Sequence, residues 1–258
     1  MELKNTTVVI TGASRGIGKS LAQALAQKNT RIVGVSRKFD PHFEKDLLGL
    51  GASSVRLISA DLSARESVQK VLSQLESEEI DVFINNAGLL TGGLLENQPL
   101  DEVLQMLQVN VNAVIQLTHG ILPKMLARKK GKIVNNSSVA GVMHFPCSST
   151  YSASKAAVIA FTTSLNNELK NTGVSTLLLI TPGVETEMFN DIPKKYGKNL
   201  NVNLLKSIPV ETYAKRVVRA IETDRSVLSP HGTSGLGVAL ARWTPRLFYS
   251  AVNTQFTR

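Results

Sequence analysis

Tyr151 and Lys155 stand four residues apart in the run Tyr151-Ser152-Ala153-Ser154-Lys155. On a helix that spacing sets both side chains on one face, one above the other. A phenol titrates near ~10, too high for a proton relay at neutral pH. An ammonium within about 4–6 Å favours the phenolate and lowers that value. Lowering it to about 7 takes roughly 4 kcal/mol of differential interaction, within reach of a close cation in a partly dry cleft. The pair is therefore predicted to be an acid–base centre whose phenol is pulled down by the lysine. Taken alone, an amphipathic helix could carry these two residues without chemistry. None of the other tyrosines, Tyr196, Tyr213 and Tyr249, has a lysine four residues on.

Three other stretches bear on the pair. Thr11-Gly12-Ala13-Ser14-Arg15-Gly16-Ile17-Gly18 stands near the N-terminus and Asn85-Asn86-Ala87-Gly88 mid-chain. Ser138, thirteen residues before Tyr151, ends the run that starts at Lys132. Together these motifs resemble the short-chain dehydrogenase/reductase family in its single-domain form, over residues 5 to about 190. The resemblance implies that Ser138 and Tyr151 face a substrate carbonyl and that Lys155 holds a nicotinamide ribose. It further implies that Asn110 holds a water linked to Lys155, with Asn112 as the alternative register and an ordinary satisfied core amide as the alternative role. It places Asp61, followed by Leu62, against an adenine amine, and Pro182, Gly183 and Thr186 in a segment closing over the nicotinamide.

The elements that must position these groups follow in order. Residues 7–10 are β-branched and aliphatic and read as a buried strand. The glycine-rich turn comes next, then helical composition from Lys19 to Gln27. Strand, turn and helix make a phosphate cradle: glycine lets the backbone approach, and the helix N-terminus supplies free N–H groups and positive potential. Gly12, Ser14, Arg15, Gly16, Ile17 and Gly18 are its candidate residues. The second strand, 31–36, ends at Ser36, where an acid would hold the 2′-OH of NAD; Arg37 and Lys38 follow instead. With Arg15 placed to converge on the same phosphate, the pattern favours NADP(H); plain surface exposure of Arg37 is the alternative. Strands at 55–60 and 80–84 flank an amphipathic helix at 63–76, and the second of them delivers Asn86, Ala87 and Gly88 to the sheet edge where ligands bind. A helix starting over 99–109 continues past Asn110 to Leu126. A fifth strand at 132–136 carries Ser138, residues 142–147 form an apolar wall, 151–169 is the catalytic helix and 174–180 a sixth strand. This alternation predicts an α/β single domain: a doubly wound parallel sheet of Rossmann type with helices on both faces.

The remainder is less regular. Residues 187–208, rich in lysine, read as an irregular, mobile substrate lid; 209–223 is another amphipathic helix. From His231 the ending departs from the strand and glycine-rich close of the family's fatty-acid-type ketoreductases. Leu236, Leu240, Trp243 and Leu247 form an apolar stripe interrupted at Pro245, accompanied by Arg242, Arg246 and Arg258 and no acid. Three placements fit this tail, in order of preference: against the core, against a neighbouring subunit, or on an anionic membrane surface.

The net charge of +9 is scattered rather than clustered and accompanies few aromatics, so no nucleic-acid partner is indicated. The lone Cys147 excludes an internal disulfide framework, and no histidine has a partner at metal-ligand spacing. Met1 to Asn5 runs straight into an apolar segment, which leaves no room for a signal peptide. No uninterrupted apolar stretch reaches spanning length, and a cytoplasmic, homodimeric or homotetrameric protein is the simplest expectation. The activity implied is NADPH-dependent reduction of a ketone or oxoacyl group to a secondary alcohol, reversible, on a small-molecule carbonyl or alcohol substrate with an apolar part. A non-catalytic NADPH-binding redox sensor and a membrane-surface protein are the rivals from other classes.

Overall fold

A computed structural model of the chain describes residues 1–258, the side chain of Leu204 excepted. Aliphatic runs covered on both faces give near-continuous buried strands, as parallel sheets require. These are β1 (Thr7–Thr11), β2 (Arg31–Ser36), β4 (Val82–Asn85), β5 (Gly131–Asn136) and β6 (Val174–Leu179), whereas β3 (Ser54–Ser59), at the sheet edge, buries only Ile58 fully. Shorter strands follow: β7 (Gly183–Val184), β8 (Ser207–Ile208) and β9 (Val227–Leu228). The main sheet has the order β3-β2-β1-β4-β5-β6-β9 with every pair parallel. Strand order reverses between β1 and β4, and the carboxyl ends there open into the ligand crevice typical of such sheets.

Helices cover both faces. α1 (Gly16–Ala26), α2 (Phe43–Gly49) and α9 (Val210–Glu222) share one core, with Leu21, Leu25, Phe43, Leu47, Val217 and Ile221 buried against Ile10 and Ile84. α3 (Arg65–Gln74), α5 (Ala113–Arg128) and α6 (Ser149–Glu168) bury Val68, Val71, Leu117, Ile121 and Leu165 against the other face. α4 (Leu100–Leu107) is joined to α5 by a π-turn over Gln108–Asn112. The doubly wound α/β sheet is as the sequence predicts, but two of its expectations need correction and two elements have no counterpart in the sequence reading.

Residues 187–208 are not irregular. They fold into α7 (Glu187–Asn190), α8 (Ile192–Tyr196), a 3₁₀ turn at Val202–Leu204 and β8, which pairs with β7. Tyr196 and Leu200 are buried with Cys147, packed by Leu90, Ile192 and Phe256, an apolar anchor that the lysines obscure in the sequence. The seventh strand, β9, was not expected; two residues carry no periodicity, and it is defined by its pairing with Leu178 and Leu179. α2 was likewise unassigned, being short and polar on its outer face. Finally, α10 (Gly232–Trp243) and α11 (Pro245–Asn253) pack on the body through the edge opposite the expected stripe. Val238 and Ala241 are buried with Met143, Leu178 and Ile180. Gly237 permits this approach, since a Cβ there would stand 2.8 Å from Met143 Sδ. Leu236, Leu240, Trp243 and Leu247 remain 62, 41, 81 and 70% exposed.

Candidate active site

The carboxyl ends of β1, β4, β5 and β6 open into a cleft of about 1100 Å³. Nearly every predicted site residue borders it: Gly12, Ser14, Arg15, Gly16 and Ile17; Arg37, Asp61 and Leu62; Asn86, Ala87 and Gly88; Ser138, Tyr151 and Lys155; Pro182, Gly183 and Thr186. Gly18 and Asn110 do not line it.

The glycine turn is built for close approach. Gly12 has φ +67°, and a Cβ on it would stand 2.9 Å from Ala87 Cα. A Cβ on Gly18 would meet the Gly12 carbonyl oxygen at 2.1 Å and the Asn86 amide at 2.6 Å. No side chain caps the first turn of α1 and no acid lies in it, so its N–H groups and positive dipole end are left for an anion. Ser14 and Ser36 hydroxyls share a 2.7 Å hydrogen bond. Arg15 departs from its expected convergence with Arg37: its guanidinium pairs with Glu187 on α7 at 2.7 Å. Arg37 is exposed after β2. The Asp61 carboxyl is held below the usual range chiefly by the backbone N–H of Ser63, at 3.0 Å, with a smaller contribution from Arg37.

A ladder of amides and hydroxyls fixes the sheet edge beneath the reacting groups. Asn86 donates to the Thr11 carbonyl at 3.0 Å and accepts from Asn136 at 3.0 Å. Thr181 donates to Asn136 and shares a 2.6 Å bond with the Tyr213 hydroxyl. Thr11, Asn136, Thr181 and Tyr213 were not singled out from sequence. Of these, Thr11 opens the glycine-rich motif, Asn136 lies in the run ending at Ser138 and Thr181 precedes Pro182, whereas Tyr213 carries no local signal.

Ser138, in extended conformation at the end of β5, accepts from the Ala140 N–H at 3.1 Å. Tyr151 and Lys155 share one face of α6, with the ammonium 5.7 Å from the phenol ring centroid. Lys155 donates to the Asn136 carbonyl at 3.0 Å, and its own carbonyl accepts from Ser137 Oγ at 2.8 Å. The predicted lowering of the phenol is reversed here. Desolvation in the cleft pushes Tyr151 up to about 12, opposed only by a hydrogen bond with Ser138. The same burial brings Lys155 down to about 8. The ammonium is drawn to Asn136 while both groups lose water, and desolvation wins over attraction.

Asn110, in the π-turn, is buried; Asn112 is exposed, and its side chain bonds Gln108. The Asn110 amide clasps the Leu89 peptide, accepting from its N–H at 2.8 Å and donating to its carbonyl at 3.0 Å, with a further bond to Ser154 Oγ at 3.1 Å. Gly88 lies between Asn110 and Lys155, since a Cβ there would stand 3.4 Å from Asn110 Oδ1 and 3.6 Å from Lys155 Nζ.

Beyond Tyr151 the cleft is lined by Leu90, Met143, Phe145, Met188, Ile192, Tyr196 and Leu205, with Thr233 and Ser234 from α10. Met143 and Phe145 belong to the predicted apolar wall. Tyr196 was missed as a site residue. It packs over Gly92, where a Cβ would fall 1.7 Å from its ring, and donates to the Thr91 carbonyl at 3.0 Å.

The chain matches the short chain dehydrogenase family over residues 6–197. It is 32% identical over 192 residues to the 3-oxoacyl-[acyl-carrier-protein] reductase of Vibrio cholerae serotype O1, covering 73% of this chain and 77% of that protein. It is 34% identical over 217 residues to the 3-ketodihydrosphingosine reductase of Bacteroides thetaiotaomicron, covering 83% and 74%. A short-chain dehydrogenase from Sphingobium yanoikuyae, solved in complex with NADPH, superposes with a TM-score of 0.76 at 26% identity over 98% of this chain and 96% of that one.

Proposed function

From the premise that the chain belongs to the short-chain dehydrogenase/reductase family, and is thus an oxidoreductase, we propose that it uses NADPH to reduce a ketone or oxoacyl group on an apolar substrate to a secondary alcohol, reversibly. The observation that carries this reading is one cleft bordered by Ser138, Tyr151 and Lys155, by the uncapped end of α1, and by an apolar wall. The named reductases of oxoacyl and ketosphingoid substrates and the NADPH-bound relative support it.

The cradle fits the dinucleotide. The uncapped first turn of α1 presents backbone N–H groups to the pyrophosphate, and Gly12, Gly16 and Gly18 let the turn pack as closely as it does. Arg37, where an acid would select NAD, holds the 2′-phosphate. Asp61 and Leu62 border the adenine, Asn86 to Gly88 and Pro182 to Thr186 flank the nicotinamide half, and Lys155 takes its ribose. When bound, the nicotinamide supplies the hydride for the carbonyl carbon.

The chain's own groups handle the proton. With its pKa at about 12, the Tyr151 phenol is protonated at neutral pH and donates to the developing alkoxide as general acid. Ser138 accepts from Ala140, and its O–H, which meets the Tyr151 oxygen, turns to donate to the same substrate oxygen. Lys155 faces the phenolate that forms. Asn110 anchors the relay water beside Lys155, across Gly88. Exposed Leu100, Leu104 and Ile115, at 67, 54 and 40%, support a homodimer or homotetramer built on α4 and α5.

The test is NADPH oxidation by the purified protein against a panel of apolar ketones and oxoacyl thioesters. Tyr151→Phe is expected to lower turnover at least a hundredfold with NADPH affinity kept. NADPH binding without oxidation by any member of the panel would overturn the reductase reading.

A further inference from the structure

The outward face of α10 carries Leu236, Leu240 and Trp243 at helical spacing, continued by Leu247 on α11. These side chains are 41–81% exposed, Trp243 most of all. A row of large apolar side chains this exposed marks an interaction site. Arg242 and Arg246 flank it, both exposed, and among the described residues neither has an acidic partner. After Asp224, itself paired with Lys132 at 2.6 Å, the sequence contains no further acid.

We infer that α10 and α11 lie in the plane of an anionic phospholipid bilayer, with Trp243 at the headgroup boundary and Arg242 and Arg246 against lipid phosphates. Charge decides among the occupants. A two-fold contact between copies would set Arg242 and Arg246 against their own counterparts with no acid on the tail to answer them. An anionic leaflet answers both cations and takes the apolar side chains at once. Tryptophan has the amphipathic ring that interfaces favour. No helix is long and apolar enough to cross a membrane among the described residues, so the contact is peripheral.

The position of this face gives it a use. The other edge of α10 packs through Val238 and Ala241 on Met143, which lines the cleft, and Thr233 and Ser234 at its start border the same cleft. A docked protein would therefore hold the cleft mouth beside the bilayer, and a lipid-dissolved ketone would enter without crossing water. That delivery rests on the reductase reading above; the docking does not, and it is measured without substrate or cofactor.

Trp243 is the only tryptophan in the chain, so intrinsic fluorescence reports on this face directly. The full chain is titrated with vesicles of phosphatidylcholine alone and of phosphatidylcholine with phosphatidylglycerol, with flotation in parallel. Anionic vesicles are expected to shift the emission to the blue and float the protein, with partition at least tenfold stronger than to the zwitterionic vesicles. Arg242→Glu with Arg246→Glu should lose at least tenfold of that partition at unchanged thermal unfolding. Trp243→Ala, followed by flotation alone, keeps the test open if the charge variant fails to fold. Absence of a shift with anionic vesicles, equal binding to both compositions, or a concentration-dependent blue shift without lipid would each overturn the inference, the last in favour of a second copy.

Discussion

The ammonium of Lys155 is held by the Asn136 carbonyl at 3.0 Å, at the end of the strand that delivers Ser138. Helical spacing alone puts Lys155 over Tyr151, but the hydrogen bond is to β5, and the lysine is drawn into a dry pocket to make it. Its pKa of about 8 records the cost of that burial.

A pH-dependent stability follows. The unfolded lysine titrates near its ordinary value, 10.5, and the folded one near 8. Between these values the unfolded state binds more protons, so stability rises with pH; below about 8 the burial penalty is present in full. Tyr151 works in the opposite direction, but only from about 10 to 12. Lys155→Met removes the buried charge. Relative to this variant, the native protein is expected to gain about 2 kcal/mol from pH ~7 to pH ~9.5. Urea unfolding at several pH values measures it, and a constant difference would show that the lysine is not desolvated.

Cofactor choice is expected to rest on Arg37 more than on Arg15. Arg37→Asp replaces a charge-assisted phosphate contact with repulsion and should weaken NADPH at least tenfold, about 1.4 kcal/mol, with a much smaller loss for NADH. Arg15 is already paired with Glu187, so Arg15→Ala should cost NADPH less than Arg37→Asp does. Fluorescence titration with both cofactors separates the cases. Equal losses of NADH and NADPH in Arg37→Asp would refute the assignment.

Legibility in the sequence followed the range of the forces involved. Gly12 and Gly18 are legible from their place between a strand and a helix, although the contacts that require them also reach Ala87 and Asn86 beyond the end of β4. Asn110 is named from sequence only by resemblance, and the π-turn that holds it has no signature in Gln108-Val109-Asn110. The Tyr151 phenol was misjudged because four-residue spacing reports proximity and says nothing of desolvation. Tyr196 was passed over because its site role depends on Gly92, which the fold alone brings beneath its ring. Trp243 was legible as part of a stripe, but whether that stripe faced the core depended on Gly237 fitting over Met143.

The clasp between Asn110 and Leu89 gives a stability prediction. In Asn110→Asp the carboxylate still accepts from the Leu89 N–H but can no longer donate to the Leu89 carbonyl or to Ser154. A buried acceptor loses its donor and a charge is left near Gly88, which should cost about 2 kcal/mol. Asn112→Asp, two residues on and exposed, should stay within about 0.5 kcal/mol. Denaturant melts of the two variants make the comparison, and equal losses would mean that the π-turn does not depend on the clasp.

Gly92 and Tyr196 give the prediction that bears most directly on substrate. A methyl group at Gly92 would lie 1.7 Å from the Tyr196 ring, far inside contact distance, so Gly92→Ala must displace the ring. Tyr196 is buried and its hydroxyl bonds the Thr91 carbonyl at 3.0 Å. The Thr91 hydroxyl in turn shares a 2.9 Å bond with Thr150, the residue before Tyr151. Moving the ring therefore reshapes the apolar half of the cleft and loosens the lead into α6, while this chain of contacts does not include the cradle at Gly12 to Gly18. Gly92→Ala is expected to raise KM for apolar ketones at least tenfold, about 1.4 kcal/mol, with the Kd for NADPH within about twofold. Tyr196→Ala in the same chain removes the clash, and the double variant should regain affinity for ketones bulkier than those the native protein takes. Unchanged ketone kinetics in Gly92→Ala, or loss of NADPH affinity in its place, would show that Tyr196 does not bound the substrate site.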